Sequence, residues 1–324
     1  MYIEQAFKWK HDWWRYLVGV LLVFIVGWQL IGVIPIMVVS FFKAENLSHF
    51  LESGLTNFAS LYPLKSNLYL FLILLTFFGG FVGLIVTVLF LHKQSIKQLT
   101  TSRNNIDWGR IFFSFGIIAT LTIVLTMLDF FTNPEDYIIQ FEVIPFLIMA
   151  VISIIFIPIQ TSFEELFFRG YLMQGIGILA KNKWAPLVIT SFIFGGLHFF
   201  NPEVDKMGSI IMVYYIGTGF FLGIITLMDE GLELALGFHA ATNLVGALLV
   251  TADWTVLQTN SILRDISEPT AGVDVLIPIF IFYPLLLGVM AWRYRWTNWS
   301  EKLFGRIIPP IKHEPIQEEI DQQA

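Results

Sequence analysis

The most informative absences in this sequence are cysteine, which is missing, and charge, which is scarce. Without cysteine the chain forms no disulfide, no thiolate metal site and no cysteine nucleophile. Charged residues make up 14% of the chain, whereas soluble domains contain about 25%. No basic segment points to nucleic-acid binding. These absences exclude disulfide-stapled domains and cysteine proteases, and they leave too few polar groups to cover a soluble surface.

What the chain has instead is long apolar runs. It is 56% hydrophobic, with a mean hydropathy of +0.71. Runs such as 16–42 and 67–91 are long enough to cross ~30 Å of hydrocarbon as helices. They lack the regularly spaced charges of soluble amphipathic helices. We therefore predict an all-α, polytopic membrane protein with about eight transmembrane helices, near 16–42, 67–91, 111–128, 143–178, 184–200, 208–228, 232–252 and 273–292.

Two runs have unusual lengths. The first is too long for a signal-peptide core, so we expect a retained helix. The fourth covers 36 residues and would extend ~54 Å at helical rise. It must therefore tilt, kink near Pro158 or emerge from the bilayer.

The basic residues predict the orientation. Fourteen of the 19 Lys and Arg residues fall on one side and four on the other, with Arg169 inside a run. Both termini are thus expected in the cytoplasm, and the lack of organelle signals is typical of a bacterial inner-membrane protein. The predicted regions are an amino-terminal flank, accessory helices, a core, an outer loop with the last helix, and a polar tail, at 1–15, 16–142, 143–251, 252–292 and 293–324.

Ionisable residues inside the apolar runs are the candidate functional groups, because charge at membrane depth is costly. The carboxylates set within a run are Glu164 and Glu165, in TSFEELFFRG. Glu165 and Arg169 are four residues apart on one helical face, in the favourable order for an ion pair. Glu164 points about 100° away and lacks such a local partner. The pair predicts a rigid, ionised Glu165 and a Glu164 that is available for chemistry.

Two further motifs carry polar residues in apolar runs. FGGLHFF places Phe194 and His198 four residues apart on one face. GFHAATN does the same for His239 and Asn243. Either histidine alone is compatible with a simple interhelical hydrogen bond. Their occurrence together with the glutamates indicates one shared site.

The three motifs, in this order on successive apolar segments, resemble the CPBP (CAAX protease and bacteriocin-processing) intramembrane protease family, which includes the type II CAAX prenyl endopeptidases. The resemblance covers about 143–251. It implies a membrane-embedded endopeptidase in which Glu164, His198, His239 and Asn243 are catalytic. It also implies that Glu165, Arg169 and Phe194 support them. The expected partners are the lipid bilayer and a peptide or membrane-protein substrate.

Two ways of activating water fit these residues. In one, Glu164 takes a proton from a water that His198 orients, while His239 and Asn243 donate to the oxyanion. In the other, Glu164, His198 and His239 form a His₂Glu zinc site with one open position. The sequence does not choose between them, and it does not show which substrate is cleaved or whether a prenyl group is read.

Other function classes fit less well. The chain has no H-E-x-x-H motif, no G-x-S-x-G motif and no intramembrane aspartate pair. It also lacks the matching halves expected of many transporters, so a proton-coupled transporter is the weaker alternative. A non-catalytic membrane partner, of the kind linked to bacteriocin immunity, is the stronger alternative.

Overall fold

The computed structural model describes residues 1–269 and 272–310. The final part of the predicted polar tail, 311–324, lies outside the described residues. Eight apolar helices dominate the described part, and five of them are long enough to cross a membrane. In chain order they are α1 (Trp13–Lys43), α2 (Asn67–Leu91), α3 (Trp108–Thr132), α4 (Val143–Ala180), α5 (Trp184–Gly196), α6 (Ile211–Asp229), α7 (Glu233–Leu249) and α8 (Pro278–Tyr294). The prediction of a polytopic helical membrane protein is confirmed.

Short helical segments connect the main helices. They lie at Ile3–Lys8, Leu47–Gly54, Ala59–Leu61, Ile96–Thr100, Pro134–Asp136, Pro202–Met207, Val273–Leu276 and Trp299–Phe304.

A small sheet joins two of the connections between the main helices. Its strands are β1 (Tyr137–Ile139), β2 (Val250–Ala252) and β3 (Leu263–Asp265), in the order β1-β3-β2. β1 is antiparallel to β3 and β2 is parallel to it. The sheet thus links the segment before α4 to the segment after α7. The small sheet was not predicted from the sequence.

The exposed face of α4 explains why the molecule needs lipid. Leu147, Val151 and Ile155, spaced one turn apart, are 56%, 59% and 51% exposed. A continuous apolar stripe of this kind is unfavourable in water and matches a hydrocarbon environment.

The long fourth segment is a single helical element with a widened turn. Pro158 lies inside it, and the Thr161 hydroxyl donates to the carbonyls of Ile157 and Pro158 at 3.1 and 3.3 Å. Directly after Glu165 the chain adopts π-helical geometry over Leu166–Leu172, before regular helix resumes. Such widened turns recur at functional sites. Here the turn contains Arg169.

The first helices form part of the wall around the core. On α1, the Trp28 ring packs edge to face against Phe163 of α4, with ring centroids 5.5 Å apart. Close contact between α1 and α2 depends on glycine, since a Cβ at Gly79 would lie 2.5 Å from the Cα of Gly32. The Phe163 ring, adjacent in sequence to Glu164, is therefore enclosed by the amino-terminal helices.

Ion pairs hold the turn between α6 and α7. Arg103 donates to the buried carboxylates of Asp229 and Glu233 at 2.8 and 3.0 Å. Arg110 also pairs with Asp229. Glu233 begins α7 and is fully buried, so these pairs fix the start of the helix that carries His239.

Both terminal flanks meet at one end of the bundle. The Lys183 ammonium lies 2.9 Å from the Met1 sulfur and donates to the Glu301 carbonyl at 3.0 Å. The contact agrees with an even number of membrane crossings.

Gly237 sets the distance between α3 and α7. A Cβ at this position would lie 2.1 Å from the Ile111 carbonyl oxygen, a backbone atom that cannot move aside cheaply. We therefore expect Gly237→Ala to lower the free energy of unfolding by about 1–3 kcal/mol, the usual cost of overpacking. The measurement is the thermal unfolding midpoint in detergent.

The matched control is Gly246→Ala on the same helix. A Cβ there would meet nothing within 4 Å, so the midpoint should stay the same or rise. Equal midpoints for the two variants would contradict the close approach at Gly237.

Candidate active site

The two glutamates lie in the most buried part of α4. Glu164 is 8% exposed and Glu165 is 0% exposed. Neither faces lipid, since the side chains around them from Gln160 to Tyr171 are almost all buried. The surroundings therefore exclude bulk solvent from both carboxylates.

Glu165 forms the predicted ion pair with Arg169. Arg169 Nη1 donates to Glu165 Oε1 at 2.9 Å, and both side chains are fully buried. Arg169 Nη2 also donates to the Gly219 carbonyl on α6 at 3.3 Å. The guanidinium lies 4.1 Å from the centroid of the Phe194 ring. The pair thus connects α4 to both α5 and α6.

His239 links the two glutamates. Its Nδ1 lies 2.7 Å from Glu165 Oε1, and its Nε2 lies 3.4 Å from Glu164 Oε2. A carboxylate accepts, so Nδ1–H donates to Glu165 and Nε2 faces Glu164. Glu165 therefore orients His239 as well as pairing with Arg169. This second role of Glu165 was not predicted.

Asn243 lies one turn beyond His239 and meets Gln160. Asn243 Nδ2 donates to Gln160 Oε1 at 3.2 Å. Gln160 is 6% exposed and lies one turn before Glu164. Gln160 was not among the predicted site residues, although its spacing of four from Glu164 within an apolar run was a usable signal.

His198 approaches the site from α5. It lies just past the end of that helix, and its Nδ1 donates to the Phe194 carbonyl at 2.8 Å. Its ring stacks on Tyr215, with centroids 4.4 Å apart. The Phe194 ring contacts His198 at 4.9 Å and His239 at 6.0 Å. Phe194 thus contacts both histidines, and Tyr215 is a further neighbour of His198 that the motifs did not reveal.

The second predicted way of activating water is a zinc site made of Glu164, His198 and His239. Both histidines use Nδ1 for a hydrogen bond, which leaves Nε2 as the nitrogen that would bind a metal. Within the described part of the chain, however, no three His, Asp or Glu side chains are gathered closely enough to hold an ion. The described geometry does not fit a preformed zinc centre.

Removing one partner of the buried pair of Arg169 and Glu165 should destabilise the protein. Arg169→Leu would leave the Glu165 charge buried without its guanidinium partner, so we expect a loss of about 3–5 kcal/mol. The measurement is chemical or thermal unfolding of the purified protein in detergent.

Asp253→Asn is the control, because it removes an ion pair to Arg264 whose side chains are 44% and 31% exposed. An exposed pair contributes at most about 1 kcal/mol. Similar losses for the two variants would argue against a special role of the Arg169 pair.

Comparison with known proteins assigns this region to a family. Residues 143–245 match the family described as type II CAAX prenyl endopeptidase Rce1-like. The chain is also 35% identical over 170 residues to the uncharacterized protein YyaK of Bacillus subtilis (strain 168). That similarity covers 52% of this chain and 57% of YyaK, so the match spans little more than half of the relative. No solved structure matches.

The matched segment contains all three motifs, and it covers α4, α5, α6 and most of α7. Residues 143–245 of this polytopic membrane protein are therefore similar to the Rce1-like family, which is a family of peptidases.

Proposed function

We propose that the chain is an intramembrane endopeptidase that hydrolyses a peptide bond with a water activated at Glu164. The observation that carries this proposal is the arrangement around His239. A buried carboxylate faces one ring nitrogen at 3.4 Å, while a second carboxylate, itself held by Arg169, binds the other at 2.7 Å. One acid is thus fixed and the other faces an acceptor.

The reaction begins at Glu164. The carboxylate takes a proton from water, and the water oxygen attacks the carbonyl carbon of the peptide bond. His198 orients the water, with Nε2 free because Nδ1 is bonded to Phe194. A tetrahedral oxyanion results.

Residues of α7 then stabilise the oxyanion and receive the proton from Glu164. Asn243 donates an amide N–H to the oxyanion. In the tautomer that donates Nδ1–H to Glu165, the Nε2 atom of His239 is an acceptor, so it receives the proton from Glu164. His239 can then donate Nε2–H, first to the oxyanion and finally to the leaving amine as the C–N bond breaks.

The substrate class follows from the location of the site. A water-excluding site among apolar helices fits a peptide segment at or within the bilayer. The lack of organelle signals favours a bacterial inner membrane, and the distribution of Lys and Arg favours both termini in the cytoplasm. The contacts of Lys183 with both terminal flanks support the even number of crossings.

The central test is Glu164→Gln, which removes the base but keeps a similar shape. We expect cleavage to fall by about 10²- to 10⁴-fold without a loss of folded protein. Comparative proteomics of membrane peptides, from cells with the native protein or the variant, measures the loss and identifies substrates.

Glu203→Gln is the matched control. Glu203 lies on the short helix Pro202–Met207 and accepts from the Val256 amide at 3.0 Å, a bond that glutamine retains. This variant should cleave like the native protein. If cells with Glu164→Gln yield the same membrane peptides as cells with the native protein, the assignment of the base to Glu164 is wrong. If neither form yields more cleaved peptides than cells without the protein, the chain is a non-catalytic partner.

Chelator treatment separates the two ways of activating water. Under the glutamate mechanism, purified protein freed of zinc keeps its turnover. Loss of turnover that added Zn²⁺ restores would assign the activation to a His₂Glu metal site instead.

A further inference from the structure

Gln160 has the position of a residue that serves the site. It lies on α4 four residues before Glu164, so the two side chains share one helical face. Glutamine is costly within an apolar segment unless its amide is bonded. Its Oε1 accepts from Asn243 at 3.2 Å. The amide of Gln160 is thus bonded to the residue assigned to the oxyanion.

The contact of Gln160 with Asn243 is the second of two side-chain contacts between the antiparallel helices α4 and α7. On α4, Gln160 precedes Glu164 by one turn, and on α7, Asn243 follows His239 by one turn. The first contact joins Glu164 to His239 at 3.4 Å, and the second joins Gln160 to Asn243 at 3.2 Å. This second contact therefore holds the oxyanion donor one helical turn from the base.

The bond determines how the Asn243 amide faces. Asn243 is half-buried, so without a partner its amide could rotate and hydrate instead. An amide has two N–H donors, and Gln160 takes one of them. The direction of the other is then set, and a donor aimed in advance stabilises a transition state without reorganisation.

We infer that Gln160 is a positioning residue that aligns Asn243 for the oxyanion. The inference rests on the proposed function, since it assigns Gln160 a role in the same hydrolysis. Gln160 does not take part in proton transfer and acts through Asn243.

The test uses Gln160→Met, which conserves length and volume but accepts no comparable hydrogen bond. The probe is membranes from cells that express the Glu164→Gln form, since these retain uncleaved substrates. Purified native or variant protein is added, and mass spectrometry follows the rate at which new peptide termini appear. Removing an oxyanion donor costs about 10²–10³-fold, so misaligning one should lower turnover about tenfold. The half-saturating amount of membrane should not change.

The matched control is Gln174→Met. Gln174 is a buried glutamine on the same helix, and its Oε1 accepts from the Gln94 amide at 2.9 Å, away from the glutamates. Its Nε2 also donates to the Gln98 carbonyl at 3.1 Å, so Gln174→Met loses two amide bonds and its unfolding midpoint should fall at least as far as that of Gln160→Met. Only Gln160→Met should lose turnover. Gln160→Glu, which retains an acceptor oxygen, should recover part of it.

A double mutant separates positioning from general support of the fold. In the Asn243→Ala background, Gln160→Met should cause no further loss, because its effect passes through Asn243. Native turnover in Gln160→Met, or a loss that adds fully to that of Asn243→Ala, would overturn the inference alone. If native protein yields no more new termini than the Glu164→Gln form, the hydrolase proposal fails and the inference fails with it.

Discussion

The packing of the helices around the site depends on a guanidinium that is completely removed from solvent. Arg169 is 0% exposed, and such a charge is stable in an apolar interior only when it is paired and hydrogen-bonded. Its partners come from three helices, namely Glu165 on its own helix, the Phe194 ring on α5 and the Gly219 carbonyl on α6. Satisfying one charge thus fixes the mutual placement of α4, α5 and α6.

The fourth helix of the site is joined through the same carboxylate. His239 binds Glu165 Oε1, the oxygen that Arg169 also binds, so α7 docks on an acid that is already immobile. The Arg103 pairs at the start of α7 and the close approach of Gly237 to α3 also hold α7 in place. Glu164 can then face His239 without having to support it, and this division of roles suits a group that must change its protonation state.

Several of these features were predictable because they are local. The pair of Glu165 and Arg169 follows from a spacing of four on one helix, and the chemical asymmetry of the two glutamates follows from the same geometry. The bond between His239 and Glu165 joins residues 74 apart in sequence, and the helical pattern of neither segment contains it. Gln160 was missed for this reason, since its significance lies in a partner on another helix. The three-residue strands were missed because their pairing is long-range.

The membrane location, the number of apolar helices and the residue types available for catalysis can all be read from the amino-acid order. Hydrophobic length and the cost of buried charge are properties of short segments, so they need no knowledge of neighbours. Which carboxylate faces a histidine and which pairs with arginine depends on the register of α4 against α7. That register results from close packing at Gly237, the ion pairs at the α6–α7 turn and the need to satisfy Arg169. These contacts are distant in sequence and form together only in the folded bundle.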